Sequence, residues 1–464
     1  MSVSGDTLPL GWAVTPLHSV ANLTLGKTPR KGDYLDHGSN KIVKYRDLVG
    51  LGIDWKNESR GFVPDSLAPA LVDLRVDDVL VGASAHSPDH VGKKVAIVRS
   101  IPPDYQATFV AGELLRIRAE GIALPSWLLY FFGSREGFRS LQGAKRGIHL
   151  MASQARQIRI PLAPLPEQRR IVEAIEANFA RLEAGVAAIN RMRANLDRFV
   201  SCISSSRLWP RLTECQFRSV GIPELPGGWR RKRLGDIVRL QNGAAFKPSD
   251  WSDDGLPIVR IQNLNRPDAP FHRTIRSLDS KFRIHSGELL FAWSGTPGTS
   301  FGAHVWAGGD AWLNQHIFKV QFDETVVTKR FLQLAINDNL SQYIVQAHGG
   351  AGLAHITKGK FEDSDVTVPP MGDQERIVSE VDRLVSVAKE IAHFLSESVS
   401  RAFALRRGIL QQAFSGRLVP QDPNDEPASA LLERIKHERS SPDSAISARR
   451  LKVSDQEAVS QRSS

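Results

Sequence analysis

HLMASQARQIRIPLAPLPEQRRIVEAIE, running from His149 to Glu176, is answered later in the chain by HITKGKFEDSDVTVPPMGDQERIVSEVD, from His355 to Asp382. Gln168 falls over Gln374 and Ile171 over Ile377. Working outward, LPLGWAVTPLHSV from Leu8 matches LPGGWRRKRLGDIV from Leu225, which sets Trp12 over Trp229 and Leu17 over Leu234. IVKYRDL from Ile42 matches IVRIQNL from Ile258. DVLVGASAHSPDHVGKKVAIV from Asp78 aligns with ELLFAWSGTPGTSFGAHVW from Glu288, with Leu80 over Leu290 and, after one gap, Gly92 over Gly302. Each of these reads as a strand, a glycine-bearing turn and a second strand. The offset between copies drifts only gradually, as loop-length changes allow, and the matches sit at apolar and turn positions. The chain therefore holds two copies of one fold with different surfaces.

Each copy runs into a long helix. Pro166 and Glu167 suit a first turn, as does Asp373 in the second copy, because proline tolerates that position and carboxylates favour the positive helix end. Apolar residues then alternate by four and three through Ile377, Val381, Leu384, Ala388, Ile391, Leu395, Ala402, Leu405 and Ile409, with Ser398 the polar seat. The first copy follows with Ile171, Ile175, Leu182, Ile189, Met192, Leu196, Phe199 and Ile203, with Asn178 and Gly185 as weak seats. That pattern predicts a coiled-coil seam. At about 40 residues each, such helices span roughly 60 Å and act as a spacer. The expected fold is α+β: two similar α/β domains in pseudo-twofold arrangement, joined by two long antiparallel coiled-coil helices. The expected boundaries are 1–166 and 223–371 for the domains, 167–208 and 372–416 for the helices, 209–222 for a linker and 417–464 for a tail with a short helix.

Length and charge agree with such a plan. A chain of 464 residues is long enough for two or three cores. Its 60 Lys and Arg against 50 Asp and Glu give a net charge of +10, which favours an anionic partner, either nucleic acid or an anionic membrane surface. No signal peptide or membrane span is read, so a cytoplasmic protein is expected. Cys202 and Cys215 are too few and too isolated for a disulfide framework or a thiolate metal site.

Catalytic chemistry finds little support. LGKT at Leu25–Thr28 lacks the earlier glycine of a phosphate-binding loop, since Ala21 stands there, and the second copy has no matching lysine. HGGAGLAHITKGK from His348 has neither the glycine spacing nor the βαβ context of a dinucleotide site. The 13 histidines form no metal-ligand pattern. Ser84 with His86, or Asn314 with His316, read as hydrogen-bonding loop residues. No metal and no catalytic residue is expected, and TVPPMG around Pro369 and Pro370 is not a methyltransferase motif.

Basic and amide side chains instead recur in the repeated loops. The candidate DNA-binding residues of the first copy are Lys44, Arg46, Lys93, Lys94, Lys145, Arg146 and His149. Those of the second are Arg260, Gln262, Asn263, Gln315, His316, His355, Lys358 and Lys360, beside the run Arg230 to Arg233. Arg, Asn and Gln can each present two aligned hydrogen-bonding groups to a base edge, whereas lysines chiefly neutralise phosphates.

Two variable domains, each followed by a segment like PLPEQRRIV and a long helix, and then LRRGILQQAFSGRLVPQDPNDEPASALLERI from Leu405 to Ile435, resemble type I restriction-modification specificity subunits. The resemblance covers nearly the whole chain. It departs at Asp373, where the usual residue is glutamate, and at SCISSSRLWPRL, a degraded counterpart of AFSGRL. It implies that each domain is a target-recognition domain reading one half of a split, asymmetric double-stranded DNA target. It also implies two methyltransferase subunits and restriction subunits as partners, which bring S-adenosylmethionine, ATP and Mg, while this chain binds no cofactor itself. A DNA-binding adaptor of another defence or processing enzyme, or a stand-alone nucleic-acid enzyme, remain the alternatives. Co-purification with a methyltransferase separates the first of these, and assays of the pure chain the second.

Overall fold

A computed structural model describes residues 8–57, 60–204, 227–266, 269–295, 301–340 and 354–440. The expected linker at 209–222 and the last 24 residues lie outside these. The duplication appears as topology. In the first copy, strand Ala21–Leu25 pairs with Leu114–Ala119, which pairs with Val79–Gly82, which pairs with Val95–Ile97, all antiparallel. The second copy repeats that order with Val238–Asn242, Ile317–Phe322, Leu289–Ala292 and Gly302–Val305. A smaller sheet recurs as well: Asn40–Val43 runs parallel to Ala107–Val110, as Leu256–Val259 does to Ala311–Leu313. In the second copy His272–Thr274 extends that sheet by one strand. Apolar residues face inward from both sides of the central strands, which is why Val79–Gly82 and Leu289–Ala292 are buried throughout.

The long helices span Leu165–Ile203 and Met371–Phe414. Each domain grips the start of its own helix in the same way. Trp12 Nε1 donates to Glu167 Oε2 at 3.0 Å, and Trp229 Nε1 donates to Asp373 Oδ2 at 2.8 Å. The departure at Asp373 therefore keeps the carboxylate's job with a shorter arm. Gln168 is fully buried and uses both ends of its amide: Leu124 N–H donates to Oε1, while Nε2 donates to the Ile122 and Ala163 carbonyls. Gln374 does the same with Thr328 N–H and the Val326 and Pro369 carbonyls. Buried backbone groups at a domain edge need partners, and one glutamine supplies three of them. The recurring Gln is thus a structural joint.

The described residues of 1–188 and 398–464 form one compact unit and those of 189–397 another, a division that passes through both long helices. The first domain's core is completed by the far end of the chain. Phe414 packs on Trp127 and Phe131 with ring centroids 4.9 and 5.4 Å apart, and Leu410, Ala413, Ala428 and Leu431 are buried with them. Arg170 pairs with Asp425 at 2.6 Å, and Arg406 lies over the Phe179 ring at 4.1 Å and pairs with Glu183. The order of these contacts makes the helices antiparallel within this unit.

The seam differs from the strict heptad frame. Met192, Phe199, Ile391 and Leu405 are 52%, 45%, 41% and 59% exposed, whereas Phe179, outside the frame, is buried. A straight helix drifts by about 20° per heptad, so a fixed alternation of four and three walks off the buried face. In the second helix the half-buried position after Ala402 is Arg406, one residue beyond Leu405. A step of four restores the face there.

Candidate nucleic-acid interface

In the first domain the three basic clusters, far apart in sequence, meet on one set of loops. Lys44 follows the parallel strand Asn40–Val43, and Asp47 Oδ2 accepts its N–H at 2.8 Å. The next residue, Tyr45, donates its hydroxyl to the His90 carbonyl at 3.4 Å, and Lys94 Nζ donates to the Tyr45 carbonyl at 3.2 Å, 4.9 Å from that ring's centre. Lys145 Nζ donates to the Pro88 carbonyl at 2.9 Å, and Gln142 Nε2 to the Val91 carbonyl. His149 closes the set: its backbone bridges to Ser84, and its Nδ1 lies 2.9 Å from Ser84 Oγ. Arg46, Lys93, Arg146 and His149 stand exposed around these contacts, while Lys44, Lys94 and Lys145 are half-buried and anchor the loops.

Lys44 is held tightly. Its Nζ lies 3.7 Å from the Tyr34 ring centre and donates to the Arg60 carbonyl. Burial pulls its ammonium below the usual lysine value, and the neighbouring Arg46 pulls the same way. Glu113 Oε1 accepts the Tyr45 N–H at 3.2 Å, so a carboxylate sits inside the basic cluster.

The second domain brings its candidates to the matching place by other means. Arg260 follows strand Leu256–Val259, and Asn314 N–H donates to the Val259 carbonyl at 3.1 Å, which sets Gln315 and His316 beside it. Trp293 spans the next gap: its N–H donates to the His316 carbonyl and its Nε1 to the Gln315 carbonyl at 3.2 Å. His355 pairs through its backbone with Ser294, repeating the Ser84–His149 bridge, but its side chain lies outside the described residues. Lys358 Nζ donates to the Leu240 carbonyl at 3.2 Å and pairs with Glu362, and Lys360 is half-buried on the same short helix, Lys358–Glu362. Gln315 is exposed, with Gln262 and His316 half-buried.

One candidate is corrected. Asn263 is 3% exposed, with Oδ1 accepting the Arg260 N–H at 3.1 Å and Nδ2 donating to the Ala269 carbonyl at 3.3 Å. Its amide is spent on capping the short helix Ile261–Asn265 and leaves nothing for a base edge. The run Arg230–Arg233 is the strand paired with Asp365–Val368, and Arg233 is engaged with Asp363. The sequence reading also missed residues that shape the loops. Tyr34 and Trp251 follow Asp33 and Asp250 at the ends of equivalent one-turn helices, Lys31–Asp33 and Pro248–Asp250. The recurring Asp–aromatic pair was the available signal.

The class defined by these features is a duplicated α/β domain that presents basic and amide groups from loops at one strand end and docks on long helices. Residues 226–411 match the type I restriction modification DNA specificity domain. The StySPI specificity subunit of Salmonella potsdam is 24% identical over 93% of this chain and 96% of its own length. The EcoKI specificity subunit of Escherichia coli is also 24% identical, over 94% of this chain and 97% of its own. A solved chain from work on assembly and conformational transition of a type I R-M system shares the fold with a TM-score of 0.65, at 20% identity over 89% of this chain and all of that one. The HsdS subunit of Thermoanaerobacter tengcongensis shares it at 0.56 and 20% identity, over 90% and 100%. Over residues 226–411 the chain carries a type I restriction modification DNA specificity domain, and over most of its length it is similar to type I restriction enzyme specificity subunits.

Proposed function

We propose that the chain reads DNA for a type I restriction-modification complex, each domain contacting one half of a bipartite, asymmetric target. The observation that carries this reading is the same strand order occurring twice with unlike loops at the matching end: Lys44 and Glu113 in one copy, Arg260 and His316 in the other. Equal scaffolds place loops in related poses, and unlike loops select unlike sequences. Methyl transfer to adenine and DNA cleavage then belong to methyltransferase and restriction subunits, which bring S-adenosylmethionine, ATP and Mg, and this chain is not itself an enzyme.

The helices supply a surface for such partners. In the unit formed by 189–397, Val387, Ile391 and Phe394 are exposed at spacings of four and three on the second helix, and Met192 and Phe199 are exposed one heptad apart on the first. Apolar stripes of that spacing suit docking of helices from another subunit. No helix among the described residues is long and apolar enough to cross a membrane.

The test is a comparison of the pure chain with its complex. The chain alone should transfer no methyl group and cut no DNA, whereas the complex with methyltransferase subunits should methylate adenine at one split target. Binding by the complex should weaken steeply as salt rises, because each phosphate contact releases counterions. Activity of the pure chain that survives removal of every partner, or binding indifferent to salt, would contradict the proposal.

A further inference from the structure

Arg260 and Lys44 occupy one position of the duplicated fold. Each follows the strand that runs parallel to its neighbour, and each has its N–H accepted by the side chain three residues on, Asn263 or Asp47. Each also has an aromatic beside it from the preceding one-turn helix, Trp251 or Tyr34. Their environments are otherwise opposite. The Lys44 ammonium is closed in by the Tyr34 ring and the Arg60 carbonyl. The Arg260 guanidinium has no hydrogen-bond acceptor among the described residues, and its Nε is buried without a partner.

A half-buried guanidinium without an acceptor is costly. The half-buried Arg283 of the same domain also has its Nε buried without a partner, but its terminal nitrogen pairs with Asp310, a partner that Arg260 lacks among the described residues. Arg260 is kept in place by rings. Trp251 stacks on His272 with centroids 3.9 Å apart and planes 9° from parallel, and Arg260 lies 5.9 Å from the Trp251 centroid. The bridge between Ser252 and Arg273 fixes the Trp251 segment alongside His272. A cation that only had to meet a phosphate would gain from reach and exposure. A recessed planar fork with its two terminal nitrogens uncommitted fits two acceptors side by side, the arrangement of guanine O6 and N7 in the major groove.

We propose that Arg260 is a specificity-determining residue that reads one guanine in the half-site of the second domain, while Lys44, its positional counterpart, anchors a loop and reads no base. The assignment rests on the reading of the chain as a DNA-specificity subunit. It names Trp251, stacked on His272, as a positioning residue, since its ring lies beside the guanidinium.

The experiment uses the full chain in complex with its methyltransferase subunits. Methylation rates are measured on the target and on duplexes in which each base pair of both half-sites is replaced in turn. R260A and R260K should each slow methylation of the target by roughly 10- to 100-fold, because lysine keeps the charge but not the fork. Both should also become indifferent to replacement of one G·C pair in one half-site and keep their preferences everywhere else. K44M, which removes a loop anchor, should slow methylation of every duplex by a similar factor and create no new base preference. R260K guards against a folding defect in R260A, and thermal unfolding of each variant complex reports one directly. A loss shared equally by all duplexes would identify a phosphate contact and overturn the proposal, as would an R260A complex with the original preferences or a K44M complex with new ones. If the unaltered complex has no fixed target at all, the functional reading falls and this assignment with it. A fixed target that R260A leaves intact overturns the assignment alone.

Discussion

The two domains share their strand order and their glutamine joint but differ in how they stiffen their loops. In the first, hydrogen bonds knit loop to loop: Tyr45 to His90, Lys94 to Tyr45, Lys145 to Pro88 and Ser84 to His149. In the second, indole rings do much of this work, with Trp251 stacked on His272 and Trp293 bonded to the Gln315 carbonyl. The difference teaches that the duplicated interior fixes where loops begin, and that each copy then solves loop rigidity with its own side chains. Polar knitting leaves basic groups exposed at the rim. Ring support frees Arg260 from internal partners.

The cores differ too, and the largest predicted effect follows from that. Ending the chain at Gly416 removes Ala428 and Leu431 from the first domain's core, with Leu432 and Ile435 packed against it, and the Arg170–Asp425 pair. The loss to the first domain should be on the order of 5 kcal/mol. Hydrogen exchange should show helix Pro125–Gly133 losing protection while strand Leu289–Ala292 keeps its own. Equal loss in both domains would break the contrast.

The joints should behave alike. Gln168→Leu and Gln374→Leu each strand three backbone groups, at a cost of about 3 kcal/mol in urea unfolding. A large difference between them would mean that the joints are not equivalent. The neighbouring indoles should differ modestly. Trp12→Phe leaves Glu167, whose other oxygen is already buried without a partner, and should cost about 2 kcal/mol. Trp229→Phe leaves Asp373 with Arg376 as a remaining partner and should cost about 1 kcal/mol. Thermal unfolding of the two variants checks the order.

The smallest effect is a titration. Burial, and then the Arg260 charge, hold the His272 imidazole below its usual value of 6.5. Because the folded value is depressed, what His272 contributes to stability is complete above the unfolded value and is lost as pH falls through the folded one. Arg260→Ala should raise the His272 midpoint in an NMR titration without restoring it fully, since burial is the larger cause. A midpoint that does not move would place Arg260 elsewhere.

Much of this architecture was legible in the sequence, because two copies repeat the same apolar spacing and any one match is checked by the others. Trp12 over Trp229 and Gln168 over Gln374 proved to be the same contacts made twice. What escaped is what spacing does not encode. Nothing in LRRGILQQAFSGRL tells that Phe414 fills the first domain's core, since an amphipathic segment does not name the core that it enters. Ile391 and Leu405 continue the alternation by four and three, but a straight helix leaves that seam behind. Asn263 has the chemistry of a base reader, and only its burial shows the amide spent on a cap. Tyr34 and Trp251 carry no periodic signal, and only the recurring Asp–aromatic pair marks them.

The central claim is that two copies of one scaffold read separate half-targets. Its most direct test maps methylated adenines in DNA from cells carrying the partner subunits and a chimera. In that chimera residues 8–163, together with the core-completing residues 410–435, come from a homologous subunit of different specificity. The account predicts that one half of the methylated target changes to the donor's sequence while the other half stays as it was. A chimera that folds and methylates but changes both halves, or neither, would contradict it.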